Sequence, residues 1–215
     1  SGTTTLRGNG TTSVVSFANN ASTFNALSAL ADDRVAVNVD VTTDVGALAL
    51  DGDANNAADT NDDIQLAAGV TLTSAAALTL DATTGGLTGA GALTLNAADG
   101  VTVNDSLTTA GTTTIDADTD SGDNVGTLAV SDGATLGTGG NALSITANDL
   151  NLNTSGALDS GAAATNITDS DGTGIGLGAT PVTDGVNIGS ADLANVTATG
   201  LTLTTRSEER RVGKE

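Results

Sequence analysis

The chain has 215 residues, of which 38% are hydrophobic, 1% aromatic and 15% charged, with a formal net charge of −20. It contains no Cys and no His, which excludes a disulfide framework, a Cys/His zinc site and every catalytic triad that needs an imidazole or a thiol. A surface this acidic repels nucleic acid and anionic lipid, and no apolar run approaches the ~20 residues of a membrane-spanning helix, so neither nucleic-acid binding nor direct membrane insertion of this segment is expected.

Taken in chain order, the apolar residues alternate in short runs. Phe24, Leu27 and Leu30 stand at near-helical spacing, but their alignment with a later strand-like run (below) favours a strand. Val35–Val39, Leu48–Leu50, Ile64–Leu66, Val70–Leu72, Leu78–Leu80, Leu93–Leu95 and Val101–Val103 follow. Leu128–Val130, Leu143–Ile145, Leu150–Leu152 and Leu201–Leu203 complete the series. Period two predicts strands with one buried and one wet face. The outward positions are mostly Thr, Ser, Asn and Asp, and the branched Thr suits a pleated strand. Clusters of Gly, Asn and Asp at 83–86, 120–124 and 137–141 separate the runs and predict tight corners. Gly174, Gly176 and Gly178 read as one more corner and not as a nucleotide loop, because Pro181 stands where the helix of such a loop would begin. Ser190–Asn195 is expected to form a single helical turn with Ser190 as its N-cap.

The sequence also repeats. Residues 26–44 (ALSALADDRVAVNVDVTTD) align without a gap to residues 92–110 (ALTLNAADGVTVNDSLTTA) at an offset of 66, with nine of nineteen positions identical. The match continues with small slips, so the internal repeats run over about 26–91 and 92–158. A fixed period of this kind marks a stacked array in which each unit buries its apolar face against the next. Divided into three rungs of about 21 residues, the repeat predicts an all-β parallel β-helix (a solenoid) of about ten rungs over residues 1–205, with neighbouring strands ~4.8 Å apart. Residues one period apart, such as Val35 and Val101, are then expected to point inward on the same face.

The text at Gly126–Leu136 and Ala142–Leu152, and again at Gly174–Gly178 and Ile188–Leu203, resembles the repeat regions of filamentous-haemagglutinin-like exoproteins, the large bacterial adhesins exported by two-partner or autotransporter routes. The resemblance covers roughly residues 26–205. It implies a right-handed parallel β-helix, export through the outer membrane and a secreted or cell-surface location. It implies a structural or adhesive passenger with no catalysis, whose partners are a host or neighbouring-cell surface and carbohydrate or matrix ligands.

The residues themselves leave a second chemistry open. Asp51, Asp53 and Asn55 in one repeat answer Asp116, Asp118 and Asp120 in the other, with oxygen donors at i, i+2 and i+4 as at the start of a calcium loop. The first run continues to Asp59, Asp62 and Asp63, the second to Asp123. Both segments are expected to protrude at equivalent corners. Their departures from an EF-hand are Asn56 where Gly is needed and Asp62 where a bidentate Glu is needed, so the alternatives are a solvated loop or weak calcium binding. Calcium is the one cofactor these residues suggest, and no catalytic or cofactor-binding residue is assigned. The competing readings of function are a calcium-dependent extracellular matrix or S-layer-like protein and, more distantly, a polysaccharide-active β-helix enzyme; the first 205 residues lack the Trp, Tyr and Lys with which such enzymes grip sugars.

Residues 206–215 (RSEERRVGKE) are foreign to this pattern. They hold every Glu and the only Lys of the chain, while the first 205 residues carry two Arg against 23 Asp. Their codons can be written as a common short-read sequencing adapter, so this segment is expected to be an artefact that joins no strand.

Overall fold

The structure is a computed structural model that describes residues 2–121, 123–178, 182–183 and 185–206. The strands follow one another as β1 (Thr3–Gly8), β2 (Val14–Phe17), β3 (Ser22–Phe24), β4 (Ala26–Ala31), β5 (Arg34–Val37), β6 (Val41–Thr43), β7 (Leu48–Asp51), β8 (Asp63–Leu66) and β9 (Val70–Ser74). Next come β10 (Leu78–Asp81), β11 (Gly86–Gly89), β12 (Leu93–Ala97), β13 (Val101–Val103), β14 (Leu107–Thr109), β15 (Thr113–Asp116), β16 (Thr127–Val130), β17 (Thr135–Gly137) and β18 (Leu143–Ala147). The last are β19 (Asp149–Asn151), β20 (Ala157–Asp159), β21 (Ala164–Asp169), β22 (Ile175–Leu177), β23 (Val186–Ile188), β24 (Val196–Thr197) and β25 (Gly200–Thr205), with one helix, α1 (Ser190–Ala194), between β23 and β24.

The chain deals all but two of these strands to three sheets in rotation; β22 and β23 pair with each other in a separate two-stranded sheet. The first sheet runs β1-β4-β7-β10-β13-β16-β19, the second β2-β5-β8-β11-β14-β17-β20-β24, and the third β3-β6-β9-β12-β15-β18-β21-β25. Every pairing is parallel, as between Leu78 and Val101 in the first sheet, Leu87 and Leu107 in the second, and Leu93 and Thr113 in the third. Parallel neighbours need a long crossover, and from β1 to β21 each crossover consists of the two intervening strands. The protein is thus all-β with three long parallel sheets, an arrangement consistent with a parallel β-helix.

Period-two burial decides which face of each strand turns inward. β10, β12 and β18 alternate buried and half-buried residues from their first position. Leu80 of the first sheet, Leu87 of the second and Leu95 of the third belong to one hydrophobic cluster that extends along the stack from Phe17 to Ile188. Its members are Leu, Val, Ile and Ala, with Phe17 the only aromatic among the buried set. Phe17 meets the half-buried Phe24 edge to face at 6.2 Å between ring centroids, a favoured aromatic geometry. The segment at Phe24, Leu27 and Leu30 is strand, as the repeat alignment predicts.

The spacing between turns differs from the expected three even rungs per repeat. The sheets hold seven, eight and eight strands among the described residues, not ten. Within the three long sheets partners lie as close in sequence as Ser22 and Val41 and as far apart as Leu158 and Val196, because loops of unequal length, and at the far end the extra pair β22–β23 with α1, stand between successive strands of a sheet. The 66-residue repeat also does not return to the same sheet. It carries β4 onto β12, a step of eight strands, so the second copy starts one sheet out of phase. Val35 and Val101 both point inward with no exposed surface, but from the second and first sheets respectively. Leu50 and Ile115, and Leu80 and Ile145, are likewise buried in different sheets. The repeat survives this shift because each sheet demands the same alternation of its residues.

Two smaller expectations concern the far end of the chain. The helical turn forms, but its N-cap is Gly189 and not Ser190; the Gly189 N–H donates to Asp192 Oδ2 at 2.8 Å. Of the atypical C-terminal segment only Arg206 is described, its N–H reaching the Asp169 carbonyl at 3.4 Å, and the expectation for residues 207–215 lies outside the described residues.

Tight packing of one turn on the next yields a direct test. A Cβ placed on Gly85 would sit 1.7 Å from the Asp62 carbonyl oxygen, and one on Gly52 would sit 2.2 Å from that of Asp63. Gly85→Ala should therefore lower stability even though Gly85 is exposed. Leu95→Ala, which empties a fully buried position, should cost about 2–5 kcal/mol. Thr94→Ala beside it should stay within about 0.5 kcal/mol. Urea unfolding followed by far-UV circular dichroism reads all three, and equal effects of Leu95→Ala and Thr94→Ala would contradict the assigned register.

Candidate metal centres

Two loops gather the carboxylates that the sequence singles out. The first, residues 52–62, joins β7 to β8 and so lies at the edge between the first and second sheets. The second, residues 117–126, joins β15 to β16 at the edge between the third and first sheets. They are thus at different corners and not at equivalent ones, for the same reason that the repeat is out of phase.

In the first loop the expected donors split. Asp51 is half-buried, and its Oδ1 accepts the Asp53 N–H at 3.0 Å in a local turn. Burial raises its pKa, the Asp53 N–H works against that, and the neighbouring charges of Asp81 and Asp53 raise it further. Asn55 is exposed, with its Oδ1 accepting the Ala57 N–H at 2.7 Å. These two side chains serve their own backbone. Asp53 and Asp62 reach beyond their own loop: both are buried, and both converge on Thr84 from the β10–β11 connection. Thr84 Oγ1 lies 2.8 Å from Asp53 Oδ2 and 3.1 Å from Asp62 Oδ2. The Thr84 N–H also donates to Asp53 Oδ2 at 2.8 Å, and the Asp59 N–H to Asp62 Oδ2 at 2.7 Å. Asp62 adopts a positive φ of 55°, uncommon for a residue with a side chain, to turn inward.

The second loop brings Asp118 and Asp120 together with Asp123; one carboxylate oxygen of each lies within 4.8 Å of the others. Asp116 is not part of this group, its Oδ1 accepting the Asp118 N–H at 3.2 Å. Asp118 is buried while Asp120 and Asp123 are exposed. Asp118 Oδ1 accepts the Ser121 N–H at 3.0 Å, and its Oδ2 accepts the Ser170 hydroxyl. Burial pushes the Asp118 carboxyl up to about 6, the Ser170 hydrogen bond opposing and the Asp171 charge adding to the rise.

The partners that sequence reasoning missed, Thr84 and Ser170, come from other turns of the stack. Thr84 lies 31 residues from Asp53 and Ser170 lies 52 residues from Asp118. The only advance signal is that Thr83–Gly86 is a polar corner.

Elsewhere Asp side chains tie one turn to the next. Asp32 accepts the Gly10 N–H, Asp40 the Thr71 N–H, Asp105 the Ala82 N–H and Asp132 the Thr154 N–H. Arg34 Nε pairs with Asp63 Oδ1 at 2.6 Å across two strands of the second sheet, and that bond holds the guanidinium pKa up. On the outer face of the third sheet Thr71 and Thr73 stand in the same two columns as Thr202 and Thr204. Asn96, Asp116 and Asn166 interrupt the columns between them. Among the described residues no helix is long and apolar enough to cross a membrane.

No protein-family model matches the chain, and no curated protein and no solved structure matches it either.

The Asp118 environment sets a pH dependence whose sign is fixed. With a folded-state pKa of about 6 against an ordinary value of 3.8, the native state binds more protons than the unfolded chain between those limits. Stability from this group is therefore fully present below about pH 4 and falls as pH rises towards 6. In a chelating buffer, the melting temperature of the wild type relative to Asp118→Asn should drop as pH rises from 4 to 6.5. Carboxyl-carbon NMR should place the Asp118 midpoint near 6; a midpoint near 4 would show that the side chain is not buried as described.

Proposed function

We propose that this chain is a structural, non-catalytic stalk segment: a right-handed β-helical passenger of a large bacterial adhesin of the filamentous-haemagglutinin type, working at the cell surface or after secretion. The observation that supports it most is the rotation of the chain from β1 to β21 through three parallel sheets around one aliphatic core. Such stacking transmits length and stiffness, because each unit touches only its neighbours and can be added indefinitely. The right hand follows from the strong preference of parallel crossovers for that sense. The absence of His and Cys from the sequence and the resemblance of residues 126–152 and 174–203 to exported repeats point the same way. On this reading the contacts to a host or neighbouring cell, through carbohydrate or matrix ligands, are made by other parts of the polypeptide or by loops that leave the stack.

A second reading, a calcium-dependent extracellular matrix or S-layer-like protein, draws on the convergence of Asp118, Asp120 and Asp123. It differs from the first in requiring calcium for assembly of the stack.

Amplifying outward from this segment in its source DNA tests the stalk reading. The expected result is further period-two repeats in place of residues 206–215, with an export domain in the same reading frame. A frame with no export determinant, or one in which these strands lead into a catalytic domain, would overturn it. Circular dichroism in chelator separates the second reading: a stalk keeps its strand signal without calcium, and a calcium-assembled matrix protein loses it.

A further inference from the structure

The geometry points to a buried divalent-cation site, fitted for calcium, between the first acidic loop and the next turn of the stack, with Asp53 and Asp62 as its charged ligands and Thr84 linking them. Asp53 has no exposed surface and Asp62 is 4% exposed. In each, one carboxylate oxygen is occupied by hydrogen-bond donors, and the other, Oδ1, is buried with no partner among the described residues. An ionised carboxylate has only acceptor sites, so a buried oxygen without a donor is left uncompensated. Thr84 cannot satisfy both side chains, because its hydroxyl has one proton and two carboxylate neighbours.

Among the described residues no protein cation is placed to help. Arg34 is engaged by Asp63, and Arg7 lies beside Asp51. The surroundings add negative charge instead, since Asp51 and Asp105 both feel the charge of Asp53. The two unpartnered carboxylate oxygens belong to side chains that the Thr84 hydroxyl joins through their other oxygens, so the donors on offer are hard oxygens. Calcium takes six to eight such oxygens in irregular geometry, whereas zinc prefers nitrogen and sulfur and magnesium demands a regular octahedron. Backbone carbonyls and water complete such shells in calcium proteins. A bound ion would tie the 52–62 loop to the β10–β11 connection and so hold two successive turns together. The inference is independent of whether the stack serves as a stalk.

The test uses the full chain, stripped with chelator and titrated with CaCl2 by calorimetry at constant ionic strength, with MgCl2 as a parallel arm. The variant Asp120→Asn/Asp123→Asn, which disables the exposed cluster of the second loop, should keep a saturable calcium site. Asp62→Asn should weaken that site tenfold or more, and magnesium should bind less tightly than calcium. Hydrogen exchange on the wild type provides a reading that does not depend on the variant folding: calcium should slow exchange of amides 54–62. Wild-type affinity in Asp62→Asn would overturn the site, as would loss of all binding in Asp120→Asn/Asp123→Asn. Unchanged exchange at 54–62 would also overturn it. So would equal protection of that loop at pH 5 without calcium, which would mean that a shared proton, and not a metal, satisfies the two carboxylates.

Discussion

A strand whose apolar residues alternate can bury one face only, and in this protein the buried faces of three sheets share one core. That constraint governs the rest. The core is lined by Leu, Val, Ile and Ala, so its side chains are short enough for three walls to meet without large aromatics. Each inward position must stay inward along the whole stack, since a slip of one residue would turn every apolar side chain of a strand to solvent. The parallel ladders fix that register, pairing Leu48 with Leu78 and Leu78 with Val101, so that like residues lie over like. At the corners, where the chain passes between sheets, buried hydroxyls satisfy the turning backbone: Thr43 Oγ1 donates to the Gly46 carbonyl, Ser74 Oγ to that of Ala77 and Ser160 Oγ to that of Ala163.

The acidity of the chain has a structural side. Turn amides that leave the ladder need acceptors, and neighbouring turns supply them as Asp carboxylates, at Gly10, Thr71, Ala82 and Thr154 among others. Hydrogen bonds from backbone N–H groups to an ionised carboxylate are stronger than neutral ones. Where donors fall short, at Asp53, Asp62 and Asp169, a buried oxygen is left over. Negative charge is thus useful to each corner separately but accumulates over the stack, and the places where it is both buried and incompletely bonded are the places where an added cation has most effect.

Strand existence was legible in the sequence because period two reports one thing directly, which side chains face inward. It says nothing about which of three equivalent walls a strand joins. The repeat at Val35 and Val101 therefore identified two buried residues but not their sheets. Asp53, Asp62, Asp118 and Asp120 were visible as an oxygen-rich pattern, whereas Asp51, Asn55 and Asp116 fitted the same pattern and turned out to cap their own loops. Local spacing cannot separate these cases. The decisive partners, Thr84 and Ser170, arrive from other turns, and their offset depends on loop lengths that vary between successive turns. Gly189 displaced Ser190 as the N-cap because the helix takes Asp192 as the acceptor for its entering amide, a reciprocal bond that a reading based on N-cap side chains overlooks.

The eight-strand step between the two repeats bears on how such a chain can lengthen. If every copied block had to contain whole circuits of the three walls, few duplications would be viable. Interchangeable walls remove that requirement: a block with any number of complete strands can be inserted and still find a buried face for each of them. The same freedom rotates whatever the block carries. The acidic loop of one copy faces outward between the first and second sheets, and that of the next between the third and first. Gene duplication in this architecture therefore distributes its surface features by azimuth around the axis, and does not pile them along a single edge.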